Sequence, residues 1–136
     1  TQIKIGDPMD PNTTMGALVS AGHLSRVMTF VDSARAEGAT IRVGGARVDP
    51  AQLPERVKGG AFMQPTIITD VEEHYTCQAQ EIFGPVVTIS PFDSEEEVIR
   101  RANATSDSPA RCRRYRRRGS RRDGGRPSRC AGRPVA

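Results

Sequence analysis

The chain lacks several features, and each absence narrows what it can be. No apolar run among its 136 residues is long enough to cross a bilayer, and no signal-peptide pattern opens at Thr1, so neither a membrane span nor an export leader is expected. Cysteine is scarce: Cys77, Cys112 and Cys130 are an odd number without metal-ligand spacing. They are read as reduced thiols in a cytoplasmic protein. Aromatic residues make up 4%, and there is no internal repeat, which excludes a solenoid. The first residue is not Met, as expected of an internal piece of a longer protein or of a trimmed start. The length fits one small domain.

Charge is distributed unevenly. Residues 1–105 hold 9 Lys and Arg against 14 Asp and Glu, for a net charge of −5, whereas residues 106–136 hold 11 Arg and 2 Asp, for +9. The overall +4 averages two unlike segments. The boundary near Ser106 is read as the end of the folded part, 1–105, followed by an Arg-rich tail, 106–136. With Val135 its only branched aliphatic, the tail cannot bury enough apolar area to offset chain entropy.

Along the chain, Thr1 to Ile5 alternates apolar and polar residues, as the end of an element begun upstream would. Asp7 to Asn12 is a loop by its Pro and Asx content. Ser20 is suited to cap a helix running to about Glu37, with an apolar stripe at Leu24, Val27, Met28, Val31 and Ala34, and Gly38 ending it in the left-handed conformation. His23 in its first turn reads as solvated. Thr40 to Val43 is a short strand stopped by Gly44-Gly45. Ala46 to Gly60 reads as a surface loop. Ala61 to Ile68 is a second strand, placed at an edge or bulged because Pro65 lies inside it. Asp70 to Gln80 is irregular, with one helical turn. Val86 to Ser90 is β-branched and is read as the central strand, covered on both faces. Ser94 with Glu97 forms a capping box for a helix through Val98, Ile99 and Ala102. Strands alternating with helices indicate the α/β class.

Glu81-Ile82-Phe83-Gly84-Pro85 precedes that last strand. Gly84 is expected to adopt backbone angles that a Cβ disfavours, and Pro85 fixes the next φ. On composition alone Glu81 is a surface carboxylate and Phe83 a core aromatic. The segment Glu81 to Val86, however, resembles a signature of the aldehyde dehydrogenase superfamily. Further resemblance comes from Gly6-Asp7-Pro8, Met15-Gly16-Ala17-Leu18-Val19-Ser20, Glu37-Gly38-Ala39, Gly44-Gly45, Gln64-Pro65-Thr66-Ile67, Pro91 to Glu97 and Ala102-Asn103. It runs in order from Ile5 to about Thr105.

The resemblance implies part of the catalytic domain of such an enzyme, an incomplete sheet with flanking helices. It implies that Glu81 accepts hydrogen bonds from the nicotinamide ribose hydroxyls and that Phe83 packs beside the nicotinamide ring. The cofactor is then NAD or NADP, the substrate a small aldehyde and the parent a homo-oligomer. In the family a cysteine thiolate attacks the aldehyde, hydride leaves for the cofactor, and water hydrolyses the thioester. The family's nucleophile lies in a Gly-Gln-x-Cys context upstream of the matched stretch, together with the Rossmann portion, the general-base Glu and the oxyanion-hole Asn. Cys77, in Tyr75-Thr76-Cys77-Gln78, has no such context and is read as structural. The chain alone is therefore expected to be inactive, and strand edges cut from a larger sheet are expected to aggregate. Gln80 and Ala17 replace a common Glu and Pro of the family. Pro91 to Asn103 resembles members acting on betaine aldehyde or semialdehydes.

The tail has three readings. One is a nucleic-acid-binding arm, Arg111 to Arg122, with Tyr115 as its single aromatic and hence weak base stacking. On that reading the chain is a small basic binding protein for nucleic acid or acidic partners. The second is a plain cationic tail. The third, preferred, is a slipped reading frame. The family continues after Ala-Asn-x-Thr with an aromatic residue and Gly-Leu-Ala. If Ser106-Asp107-Ser108-Pro109 is encoded TCG-GAC-TCG-CCN, reading one base earlier with a preceding T gives Phe-Gly-Leu-Ala.

Overall fold

The computed structural model describes residues 3–103; the Arg-rich tail of residues 106–136, and every expectation placed on it, lies outside the described residues. The order of elements is α1 (Ala21–Glu37), β1 (Thr40–Val43), β2 (Thr66–Thr69), α2 (Thr76–Ala79), β3 (Val86–Ile89) and α3 (Glu95–Asn103). All but α3 belong to a unit spanning Thr1–Ser90; α3 belongs to a second unit that begins at Pro91. The class is α/β, as expected.

Both ends of α1 are set by local chemistry. The Ser20 side chain accepts a hydrogen bond from the His23 amide, and Gly38, at φ 102°, lets its own amide reach back to the carbonyls of Ala34 and Arg35. These satisfy backbone groups that a helix end leaves unpaired. The buried face is Leu24, Val27, Phe30, Val31 and Ala34. Phe30 takes the place expected of Met28, which is only partly buried: Phe30 lies three residues from Val27 and continues the same stripe.

The sheet order is β1-β2-β3, with β1 antiparallel and β3 parallel to β2. Two expectations change here. The strand after Pro65 begins at Thr66 and is the central strand, with Ile68 fully buried. Pro65 does no harm because it stands just ahead of the first ladder position. The irregularity expected in this strand falls instead on β1, where the register slips between Ile41 and Val43. Conversely, β3 is not central: among the described residues it pairs only with β2, and Val87 and Ile89 on one face are both exposed. Its β-branched composition suits a strand, but the number of neighbours is set by non-local pairing.

The main core joins α1 to Ala61, Met63, Ile68, Val71, Tyr75, Cys77 and Ile82. The 46–60 stretch is more than a surface loop. It contains two 3-10 turns, Pro50–Gln52 and Glu55–Val57, and it buries Val48 and Leu53 with Phe62 in a small core of its own. Such satellite clusters commonly anchor long loops. The single helical turn expected within 70–80 is α2, capped by Glu37, whose carboxylate accepts from the Thr76 amide and from its hydroxyl at 2.6 Å. At the head of α3 the Ser94 hydroxyl accepts from the Glu97 amide, while the Glu97 carboxylate reaches back to the Asp93 amide, one residue beyond the usual box. Among the described residues no helix is long and apolar enough to cross a membrane.

Candidate functional site

Residues 81–83 alternate their side chains between core and surface. Ile82 is buried in the main core, so its neighbours on either side face outward: Glu81 is half-buried and Phe83 is 69% exposed. A Phe this exposed is not the core aromatic that composition alone suggests. The backbone here is folded tightly. The Gly84 amide donates to the Ile82 carbonyl and the Val86 amide to the Gly84 carbonyl, both at 2.8 Å. These are successive three-residue turns centred on Phe83 and Pro85, and the fixed φ of proline suits the second.

Gly84 is required for a reason other than the one expected. It is not among the glycines at positive φ. A Cβ there would lie 2.8 Å and 2.9 Å from the two γ-methyls of Val27, so glycine permits the segment to lie directly against α1. Two hydrogen bonds fix the segment's carbonyls. The Thr66 amide donates to Pro85 O at 2.8 Å, and the His23 imidazole, through Nε2, donates to Phe83 O. A carbonyl can only accept, so the ring carries hydrogen on Nε2. Thr66 is itself buried and linked on, because its hydroxyl accepts from the Gly45 amide and donates to the Gln64 carbonyl, each at 2.9 Å.

Across from the segment, His23, Arg26, Val27 and Phe30 stand on one face of α1, at the three- and four-residue intervals that bring helical side chains together. These residues, with Val19, Glu81 and Phe83, line a cavity of about 380 Å³. The cavity thus combines a carboxylate, an exposed aromatic ring, an imidazole and a guanidinium over an apolar floor. Its size falls in the range of small-molecule sites, roughly 300–1,000 Å³. The structure brings together the two residues singled out in the sequence, Glu81 and Phe83, and adds His23 and Arg26. Sequence reasoning left His23 as solvated and passed over Arg26. Their 23/26/27/30 spacing puts these residues on one helix face, but nothing in the sequence places that face beside residues 81–84.

Cys77 stands apart from this cavity. It is 5% exposed in the main core, and burial, assisted by the Glu37 carboxylate, pushes its thiol pKa upward. A thiol held protonated in apolar surroundings is a poor nucleophile, in agreement with its structural reading.

Comparison with known proteins bears on the whole arrangement. Residues 1–108 match the model of the aldehyde dehydrogenase family. The chain is 53% identical over 100 residues to the 2-aminomuconic semialdehyde dehydrogenase of Bos taurus, covering 74% of this chain and 20% of that protein. Among solved structures, an aldehyde dehydrogenase from Bacillus cereus in complex with NAD+ superposes with a TM-score of 0.68 at 44% identity, covering 76% of this chain and 20% of that one. Betaine aldehyde dehydrogenase from Staphylococcus aureus, also with NAD+, gives 0.69 at 41% identity with the same coverage. The chain spans about one fifth of the length of the relatives it matches. It belongs to the aldehyde dehydrogenase family.

Proposed function

We propose that this chain is the part of an NAD(P)-dependent aldehyde dehydrogenase that receives the nicotinamide ribose, and that the parent enzyme oxidises a small aldehyde to a carboxylic acid. The observation that carries this reading is the convergence of Glu81 and Phe83 on one cavity, with Ile82 between them anchored in the core. The residues fit the group. A carboxylate offers two acceptor oxygens to a vicinal diol. An aromatic face left exposed beside it restrains a flat heterocycle. Arg26 on the same cavity supplies a cation suited to a dinucleotide's phosphates. When bound, NAD or NADP supplies the hydride acceptor. The chain's own contribution is orientation: Glu81 holds the sugar, Phe83 limits the tilt of the ring, and the pair together fixes which face meets the reacting carbon.

Several features of the sequence and the structure support a further reading, that the chain does not catalyse the reaction alone. Cys77 is buried with a raised pKa, and neither Cys112 nor Cys130 stands in a Gly-Gln-x-Cys context. A buried free thiol also fits a cytoplasmic protein. The test of the binding reading is saturation-transfer NMR from the 136-residue chain to the nicotinamide protons of NAD+. Transfer is expected for the unaltered chain. Glu81→Gln, which removes the charge on the acceptor, is expected to weaken binding about tenfold, the scale of one charge-assisted hydrogen bond. Equal affinity in the two proteins would exclude Glu81 from the site.

A further inference from the structure

We propose that His23 is a positioning residue for the Glu81–Phe83 pair: its hydrogen bond to the Phe83 carbonyl sets the direction in which Phe83 and Glu81 face the cavity. The proposal rests on the reading of that cavity as the nicotinamide-ribose site.

The argument begins with what holds Phe83. Phe83 is 69% exposed, so packing holds its side chain weakly, and its direction follows the backbone. On either side the backbone is anchored, by the buried Ile82 side chain and by the Thr66 amide on Pro85 O. Between those anchors lies the peptide plane joining Phe83 to Gly84. One edge of that plane, the Gly84 amide, donates to Ile82 O at 2.8 Å. The other edge, the Phe83 carbonyl, accepts from His23 Nε2. With both edges held the plane has one orientation; with the imidazole removed it hangs on a single short-range turn bond. Gly84, lacking a Cβ, restricts its own backbone angles less than any other residue would, so it does not by itself hold the plane.

The donor is itself placed securely. The His23 amide donates to the Ser20 hydroxyl at 3.1 Å, so the residue lies in a capped first turn and not a fraying one. The charged groups facing the same cavity are Arg26 on α1 and Glu81 on the segment. Glutamine can present its Nε2 hydrogen much as the imidazole does; alanine offers no donor.

The experiment uses the full 136-residue chain, labelled with 15N and 13C, as wild type, His23→Ala and His23→Gln, with nicotinamide mononucleotide as the probe. His23→Ala is expected to move the Phe83 carbonyl and Gly84 amide resonances and to weaken nucleotide binding about three- to tenfold, whereas His23→Gln restores both to near wild type. Amides of Thr69 and Ile89 in the sheet serve as fold reporters and stay in place. A merely structural histidine would lower the melting temperature without this split between Ala and Gln in affinity. If the sheet reporters hold while Phe83 and Gly84 do not move in His23→Ala, the positioning role is overturned, whatever binds. If those resonances move but the wild-type chain does not bind the nucleotide, the cavity reading fails, and the role of His23 toward a cofactor fails with it. A hydrogen bond of structural value would be all that remained.

Discussion

Glu81 and Phe83 show how little a residue's type says about its role until its neighbours are placed. Both flank the buried Ile82, and that alternation turns them outward into one cavity. The pair was legible in the sequence through its family resemblance; its partners on α1 were not. His23 lies 60 positions from the carbonyl it contacts, a separation that no local pattern encodes. Gly84 shows a different gap. Its presence was legible, but the reason lies in Val27, which the sequence does not place beside it. Gly84→Ala would put a methyl within 3 Å of both Val27 γ-carbons. Val27 is β-branched and buried, so it cannot easily move aside. We expect a destabilisation of about 1–3 kcal/mol, the usual scale of overpacking, measured as a fall in the thermal midpoint.

Asp7 and Asp10 give a pH prediction at the same scale. The Arg56 guanidinium, followed by the Met9 amide, holds the Asp7 carboxyl below its ordinary value. The Asn12 amide, followed by Lys4, lowers Asp10 to about 2. Because both folded values are depressed, their stabilisation is fully present above the ordinary aspartate pKa of about 3.9 and is lost as pH falls through the folded values. The expected result is a thermal midpoint that declines below about pH 4, less steeply in Asp10→Asn. A midpoint independent of pH across that window would show that these contacts contribute nothing to the fold.

At the level of elements, α1 was legible because its signals are local: an apolar stripe, a Ser cap and a Gly stop. The capping box of α3 and the single turn of α2 were legible for the same reason. The sheet was less so. β-Branching marked β3 as a strand, yet its neighbours depend on pairing across the chain, and the central place belongs to β2. Thr66, at the head of β2, joins three segments through the Gly45 amide, the Gln64 carbonyl and the Pro85 carbonyl. Thr66→Val keeps the shape but leaves the Gly45 amide without its acceptor. A buried donor left unpaired costs about 1–3 kcal/mol. Hydrogen exchange at Gly45 should accelerate in Thr66→Val, and unchanged exchange would mean that another acceptor takes over.

For the molecule as a whole, family membership and α/β class were readable from motifs spread over most of the chain, and the match to residues 1–108 agrees with them. The chain nevertheless covers about one fifth of its relatives' length, and in the proposed reading it positions a cofactor without supplying the nucleophile. Incubated with NAD+ and either betaine aldehyde or a semialdehyde, the purified 136-residue chain is expected to form no reduced cofactor. Turnover by the chain alone would overturn that division of labour and bring its three cysteines back into consideration.

The measurement that bears most directly on the central claim is an amide-resolved NMR titration of the full chain with NAD+. The cavity reading predicts shifts concentrated at residues 19–30 of the α1 region and at 81–84, with the 46–60 segment between β1 and β2 unmoved. Shifts confined to other parts of the chain, or none at cofactor concentrations that saturate the transfer signal, would contradict it.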